Sequence, residues 1–199
     1  MPVKHSDAIG QLRSNLDQYA RRWPDEAEHT LPFLALLEEA AGGRTAPDGA
    51  AEPGDPFQRE RLAGHFTGGA WLIDRAGRRV LLTHHRKLGR WLQLGGHADG
   101  DRDLAAVALK EAEEESGLTG LSVEPELFDL DRHWIPARPD VPAHWHYDLR
   151  YVVRAGDCED YVVSEESLDL AWRDIAELLA DPSSDESMRR MARKWLARG

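Results

Sequence analysis

Apolar positions recur along this chain in two rhythms, and the change from one to the other divides it. Over 6–22 and 31–41 the spacing is helical: Leu12, Leu16 and Tyr19 make one stripe, and Phe33, Leu34, Leu36 and Leu37 a broader one. Ser6 starts the first segment, Thr30 and Pro32 the second, and Gly42-Gly43 stops it. Two such short helices are marginal alone. They are expected to pack as a hairpin on the main domain or on a second copy of the chain, which would make a homodimer; the first arrangement is the simpler. The segment 42–56, GGRTAPDGAAEPGDP, reads as a linker or surface loop.

From Gly64 onward the rhythm is that of short strands. Segments 65–74 and 79–84 flank a turn at 75–78 and read as a hairpin, 91–94 as a short strand, and 121–131 and 144–154 as longer ones. Segments 161–163 and 170–172 read as further short strands, and 174–179 and 185–197 as helices. Strands with few helices and no regular βαβα alternation predict an α/β sandwich with a mixed sheet. The predicted organisation is a helical extension over 1–41, a linker over 42–60 and a main domain with a C-terminal helix over 61–199.

The most informative stretch lies between these strands, GGHADGDRDLAAVALKEAEEESGL over 95–118. Ala and Leu dominate 104–112, no Pro interrupts, and Gly117 follows where a C-terminal cap belongs. At about 100° per residue, Leu104, Val107, Ala108, Glu111, Glu114, Glu115 and Leu118 share one stripe, apolar at its start and acidic at its end. An acid near a helix C-terminus is misplaced by about 0.3–1 kcal/mol. A like-charged i,i+4 pair such as Glu111 and Glu115 costs about 0.2–0.5 kcal/mol more. A hard divalent cation, Mg²⁺ or Mn²⁺, would offset both, since it prefers oxygen ligands; the plainer alternative is a solvated acidic face. Gly95-Gly96, between an apolar segment and this helix, predicts a tight turn where backbone approaches a ligand.

The spacing resembles the Nudix box of the Nudix hydrolases. Gly96 takes its first Gly, and Lys110-Glu111-Ala112-Glu113-Glu114-Glu115-Ser116-Gly117-Leu118 its last nine positions. There are two departures: Arg102 stands where the family has its first Glu, and Lys110 where it has Arg. The resemblance implies a Nudix-like α/β/α sandwich over about 64–180. It also implies Mg²⁺- or Mn²⁺-dependent cleavage of a pyrophosphate bond in a nucleoside diphosphate linked to another moiety. By the same resemblance Glu111, Glu114, Glu115 and the Gly95 carbonyl hold metal, and Lys110 orients the catalytic Glu side chains without arginine's planar fork. A non-catalytic module that senses a nucleotide derivative is the rival reading. For the first departure, Arg102 is expected to point to solvent, with Asp101 capping the helix and securing the loop.

Other candidates surround this stretch. Arg86, Lys87 and Arg90 make a basic loop placed to clamp a substrate phosphate, and His97 directly follows the glycines. His144, His146, Asp148 and Arg150, spaced by two, share one face of a strand. His144 and His146 are expected to contact substrate; together with His133 and His97 they would alternatively make a metal site. Asp148 and Arg150 look equally like an ion pair. Trp91 is expected in the core, whereas Trp134 and Trp145 are candidates to stack on a base. Glu165, with Glu166 beside it, is an additional acid candidate. Arg189-Arg190 and Arg193-Lys194 alternate with Met188, Met191 and Trp195, as expected for a helix docked by its apolar face with its cations in water.

Composition narrows the classes. A net charge of −11 over 199 residues argues against nucleic-acid or anionic-membrane partners and leaves a small nucleotide-type substrate to be met by local cations or metal. Cys158 is the single cysteine, so neither an internal disulfide nor a multi-Cys zinc site is available. No long apolar run or signal-peptide core is seen, and a cytoplasmic protein is expected.

Overall fold

Nine consecutive residues, His65–Ile73, are buried without a break and form β1. A strand covered on both faces reads as a continuous run rather than an alternation. The computed structural model describes residues 5–40, 54–85, 89–163 and 167–198. It sets β1 inside a mixed six-stranded sheet with flanking helices. The remaining strands are β2 (Arg79–His85), β3 (Arg90–His97), β4 (Ser122–Ile135), β5 (His144–Arg154) and β6 (Ser167–Asp174), and the order is β4-β5-β1-β3-β2-β6. Strand β2 pairs antiparallel with β3 and with β6, Leu82 facing Gln93 on one side and Ala171 on the other. The predicted hairpin is present, Ile73 opposite Val80. Its turn closes on Asp74, whose Oδ1 accepts from the backbone N–H groups of Arg78 and Arg79 at 2.8 and 3.1 Å.

Contacts divide the chain into two compact units. The first comprises Met1–Gly68, His97–Leu104 and Leu130–Leu149. Helices α1 (His5–Arg22) and α2 (Leu31–Ala40) belong to it, joined by a 3-10 turn over Pro24–Thr30 that the hydrophobic pattern did not disclose. Of the predicted stripes, Leu12, Leu16 and Tyr19 on α1 and Phe33, Leu36 and Leu37 on α2 are buried, and Leu34 is half-buried. Phe33 meets Tyr147 edge-on at 5.4 Å, and Arg61 pairs with Glu39, so the helices dock within their own chain.

The second unit comprises Gly69–Gly96, Ala105–Asp129 and Arg150–Gly199. Its core joins Trp71, Ile73, Val80, Leu82, Phe128 and Val152 from the strands to Ile175 and Leu178 of α4 (Ile175–Ala180) and Met188, Met191 and Ala192 of α5 (Glu186–Leu196). Trp91 packs against this core, as expected. Asp174 and Asp185 cap the two helices, the first accepting from Ala176 and Glu177, the second from Met188. No described helix is long and apolar enough to cross a membrane.

The structure departs from several expectations. Segment 161–163 is not a strand: the Val162 N–H goes to the Ser116 carbonyl at 2.7 Å, so it closes a helix end instead of extending a ladder. Gly95 and Gly96 form no tight turn but continue β3 through His97; the chain turns at Asp99 and Gly100. The C-terminal cations do not all lie in water. Arg189 and Arg193 pair with Glu186 on the outside, whereas Lys194 is 4 % exposed and Arg190 is largely covered. These two turn inward because Asp129 is wholly buried. Its carboxylate receives Arg190 at 2.7 and 2.9 Å, Lys194 at 2.7 Å and Arg150 at 3.2 Å. The linker prediction over 42–56 falls mostly outside the described residues.

Candidate active site

Helix α3 spans Leu104–Ser116, and Val107, Ala108 and Ala112 anchor its buried stripe. It ends where the sequence places the end: Gly117 takes φ +68°, and its N–H donates to the Glu113 carbonyl at 2.9 Å. The last turns therefore present Glu111, Glu114 and Glu115 in graded exposure. The Glu111 side chain is 17 % exposed, Glu115 is half-buried, and Glu114 is 60 % exposed.

The two glycines of β3 shape this end of the helix. A Cβ on Gly96 would stand 2.3 Å from Oε2 of Glu111, a distance no side chain tolerates, so glycine is what lets this carboxylate lie against the strand. Gly95, at φ +152°, donates its N–H to Oε1 of Glu115 at 2.8 Å. Lys110, on the outer side, lies 3.6 Å from Glu111 and 3.5 Å from Glu114. Glu111, then Glu114, hold the Lys110 ammonium above the usual lysine range. The sequence-predicted group of Gly95, Lys110, Glu111, Glu114 and Glu115 is thus gathered at one place. Its donors are hard oxygens, which fit Mg²⁺ or Mn²⁺. Among the described residues the three carboxylates are not a group whose ligand atoms all lie within 4.8 Å of one another.

Arg102 does not point to solvent. Its side chain is 16 % exposed, and the guanidinium donates to Asp55 at 2.6 Å and lies 4.8 Å over the Phe57 ring. An arginine can both pair with an acid and stack on a ring, and this one finds both on the preceding segment. Asp101 does not cap the helix either. The first helical residue is Leu104, which puts Asp103 at the cap position; Asp101 accepts instead from the Asp103 N–H at 2.9 Å, forming a local turn before it.

Arg90 is exposed and 3.3 Å from Asp185; with Trp91, Arg173 and Met188 it lines a cavity of about 190 Å³. Arg86, Lys87, Glu165 and Glu166 lie outside the described residues. Trp134 and Trp145 meet edge-on at 5.1 Å, Arg132 lying 4.0 Å over Trp145. Asp148 accepts from Thr67 at 3.1 Å. Arg150 engages Asp129 and Ser187.

His97, His144 and His146 assemble in the first unit around a residue the sequence reading passed over, His65, with His133 alongside. Among the described residues, His65, His144 and His146 are the one group of three or more metal-type side chains whose ligand atoms all lie within 4.8 Å. Burial, then the charge of Arg59, pushes the His97 pKa down to about 4; burial, then His97, lowers His146 as well, and burial lowers His65. His65, His97 and His146 are therefore neutral near pH 7. The available signal for His65 was its place as the one polar ring in an otherwise apolar strand, immediately after Gly64 at φ +135°.

Residues 65–195 match the NUDIX domain. No curated protein matches the chain. Solved structures similar to it include an Ap4A hydrolase of C. elegans, in a binary complex, with a TM-score of 0.54 at 18% identity over 67% of this chain and 96% of that one. A NUDIX-family hydrolase from Clostridium perfringens gives 0.53 at 20% identity over 68% and 98%. A MutT protein from Methanosarcina mazei Go1 gives 0.53 at 16% identity over 69% and 96%. At these identities the likeness is one of fold.

Proposed function

The chain belongs to the NUDIX family and is a Nudix-type hydrolase; on that footing we propose that it cleaves a pyrophosphate bond in a nucleoside diphosphate linked to another moiety, with Mg²⁺ or Mn²⁺ held at the end of α3. The observation that carries the metal reading is the seat of Glu111. Its carboxylate lies against Gly96 where a Cβ would be, with Glu115 fixed by the Gly95 N–H beside it. A solvated acidic face needs neither glycine.

Glu111, Glu114 and Glu115 would hold the ion, with the Gly95 carbonyl as a further oxygen. When bound, such an ion supplies charge neutralisation at bridging phosphates and a more acidic water. The protein's own part is positional. Gly96 permits the approach of Glu111, Gly95 orients Glu115, and Lys110 restrains Glu111 and Glu114 from outside. Hydrolysis adds hydroxide to one phosphorus, breaks its bond to the bridging oxygen, and releases the other phosphate-bearing fragment and a proton. Arg90, and Arg86 and Lys87 of the basic loop, are proposed phosphate contacts, with His97, His144 and His146 as further candidates and Glu165 as an additional acid. The Ap4A hydrolase among the structural neighbours is named for a nucleotide substrate, consistent with this class.

The test is a panel of nucleotide sugars, dinucleoside polyphosphates, ADP-ribose, nucleotide cofactors and oxidised nucleotides, incubated with the purified protein and Mg²⁺ or Mn²⁺. Cleavage of at least one compound, abolished by chelator, is expected. No cleavage, or cleavage that chelator leaves unchanged, would overturn the reading.

A further inference from the structure

The histidine cluster has features that the pyrophosphohydrolase reading does not use. His65 is 1 % exposed, and its Nδ1 lies 3.1 Å from the Arg61 carbonyl. A carbonyl oxygen only accepts, so Nδ1 carries the proton and the neutral ring presents a bare Nε2 lone pair. That Nε2 is buried and has no hydrogen-bond partner. His144, 6 % exposed, repeats the arrangement: Nδ1 donates to the Pro142 carbonyl at 2.8 Å, and Nε2 is left bare. The Nε2 of His144 in turn faces the Nε2 of His146 at 3.1 Å. Two backbone carbonyls thus fix two tautomers that leave Nε2 lone pairs inside a group whose ligand atoms all lie within 4.8 Å of one another. Metal-bound histidines are held in this way, the far nitrogen donating to a carbonyl while the near one faces the ion.

We propose that His65, His144 and His146 form a binding site for a borderline transition-metal ion of the Zn²⁺ class. Imidazole nitrogen selects such ions over Mg²⁺ and Ca²⁺, so the site differs in chemistry from the carboxylates of α3. Tetrahedral coordination with Zn–N near 2.0–2.1 Å sets ligand nitrogens about 3.3–3.4 Å apart. The His144–His146 separation already approaches that value, and the group as a whole, within 4.8 Å, needs only a modest contraction around the ion. Three protein nitrogens leave a fourth position for water, beside His97, whose ring centroid lies 5.2 Å from His65 and 5.1 Å from His146. The inference stands independently of the function proposed above.

The experiment uses untagged full-length protein, stripped with chelator and kept in excess Mg²⁺, titrated with Zn²⁺ by calorimetry and with Co²⁺ by visible absorption. One equivalent of Zn²⁺ is expected to bind in spite of the Mg²⁺, and Co²⁺ to give the intense bands of a tetrahedral nitrogen site. His146→Ala should weaken Zn²⁺ binding about 100-fold or more, whereas Glu114→Gln should leave it unchanged. Absence of stoichiometric binding would overturn the proposal, as would wild-type affinity in His146→Ala or loss in Glu114→Gln. Should circular dichroism find His146→Ala unfolded, X-ray absorption of the wild-type Zn²⁺ complex decides. A nitrogen shell with imidazole scattering supports the site, and an oxygen-only shell refutes it.

Discussion

Two places in the second unit concentrate acid and base, and they are built oppositely. Asp129 is wholly buried, and Arg150, Arg190 and Lys194 close over it from helix and strand. Burial by itself would raise its pKa; the Arg190 hydrogen bond and the charges of Arg150 and Lys194 outweigh this and hold it below the usual carboxylate value. At the end of α3, Glu111, Glu115 and Glu114 step outward from 17 % to 60 % exposure, and Lys110 beside them is itself 59 % exposed. A carboxylate enclosed by the chain's own cations has no face left for a ligand and is structural. Carboxylates that open toward solvent, one of them admitted by a missing Cβ, keep faces on which a cation can be held.

Substitutions can break or sharpen that contrast. The largest effect is expected from Glu114→Gln, which should lower metal-dependent turnover on the order of 1000-fold with melting temperature near wild type. A comparable loss of melting temperature would place Glu114 with Asp129 as a structural acid. Asp129→Asn should do the reverse, costing about 3–5 kcal/mol of stability because three cations lose their shared partner. Denaturant titration checks this.

The pH dependence of unfolding sharpens the same point. With the folded pKa of Asp129 below its unfolded value of about 3.8, the unfolded chain takes up the proton first on acidification. Its contribution is thus complete above that value and lost as pH falls through the folded pKa. The Asp129→Asn variant should show a shallower acid limb in melts between pH 5 and 2; an unaltered limb would contradict the assignment.

Gly96→Ala comes next. The added methyl meets the Glu111 carboxyl, and displacement of that group by about 1 Å should lower turnover about 100-fold. Steady-state kinetics with an intact circular dichroism spectrum is the check. The smallest effect is expected from Arg102→Glu, which restores the family residue but places it against Asp55. A loss of about 1–2 kcal/mol of stability with little change in turnover should result, and a large gain in turnover would mean that Arg102 impairs the site.

What was legible in the sequence is what local periodicity and spacing carry. The α3 stripe, its Gly117 stop, the grouping of Lys110 with the three glutamates, the hairpin at 75–78 and the buried faces of Leu12 and Phe33 all depend on neighbours within a few turns or on alternation along one strand. What was missed depends on partners far along the chain. Arg102 finds Asp55 forty-seven residues earlier, and Lys194 finds Asp129 sixty-five residues earlier, so a cation expected in water is instead drawn inward. His65 likewise joins His144 only through the fold. The glycines were noticed for the right property, close approach, in the wrong conformation. They extend a strand against a helix end, and the group they admit is the chain's own Glu111.

The most direct test of the contrast is calorimetric titration of Mn²⁺ into wild type, Glu114→Gln and Asp129→Asn, each at a temperature where it is folded, with the histidine cluster saturated with Zn²⁺ beforehand. The account predicts that Mn²⁺ binding weakens sharply in Glu114→Gln and stays at the wild-type value in Asp129→Asn. Wild-type Mn²⁺ affinity in Glu114→Gln would contradict it.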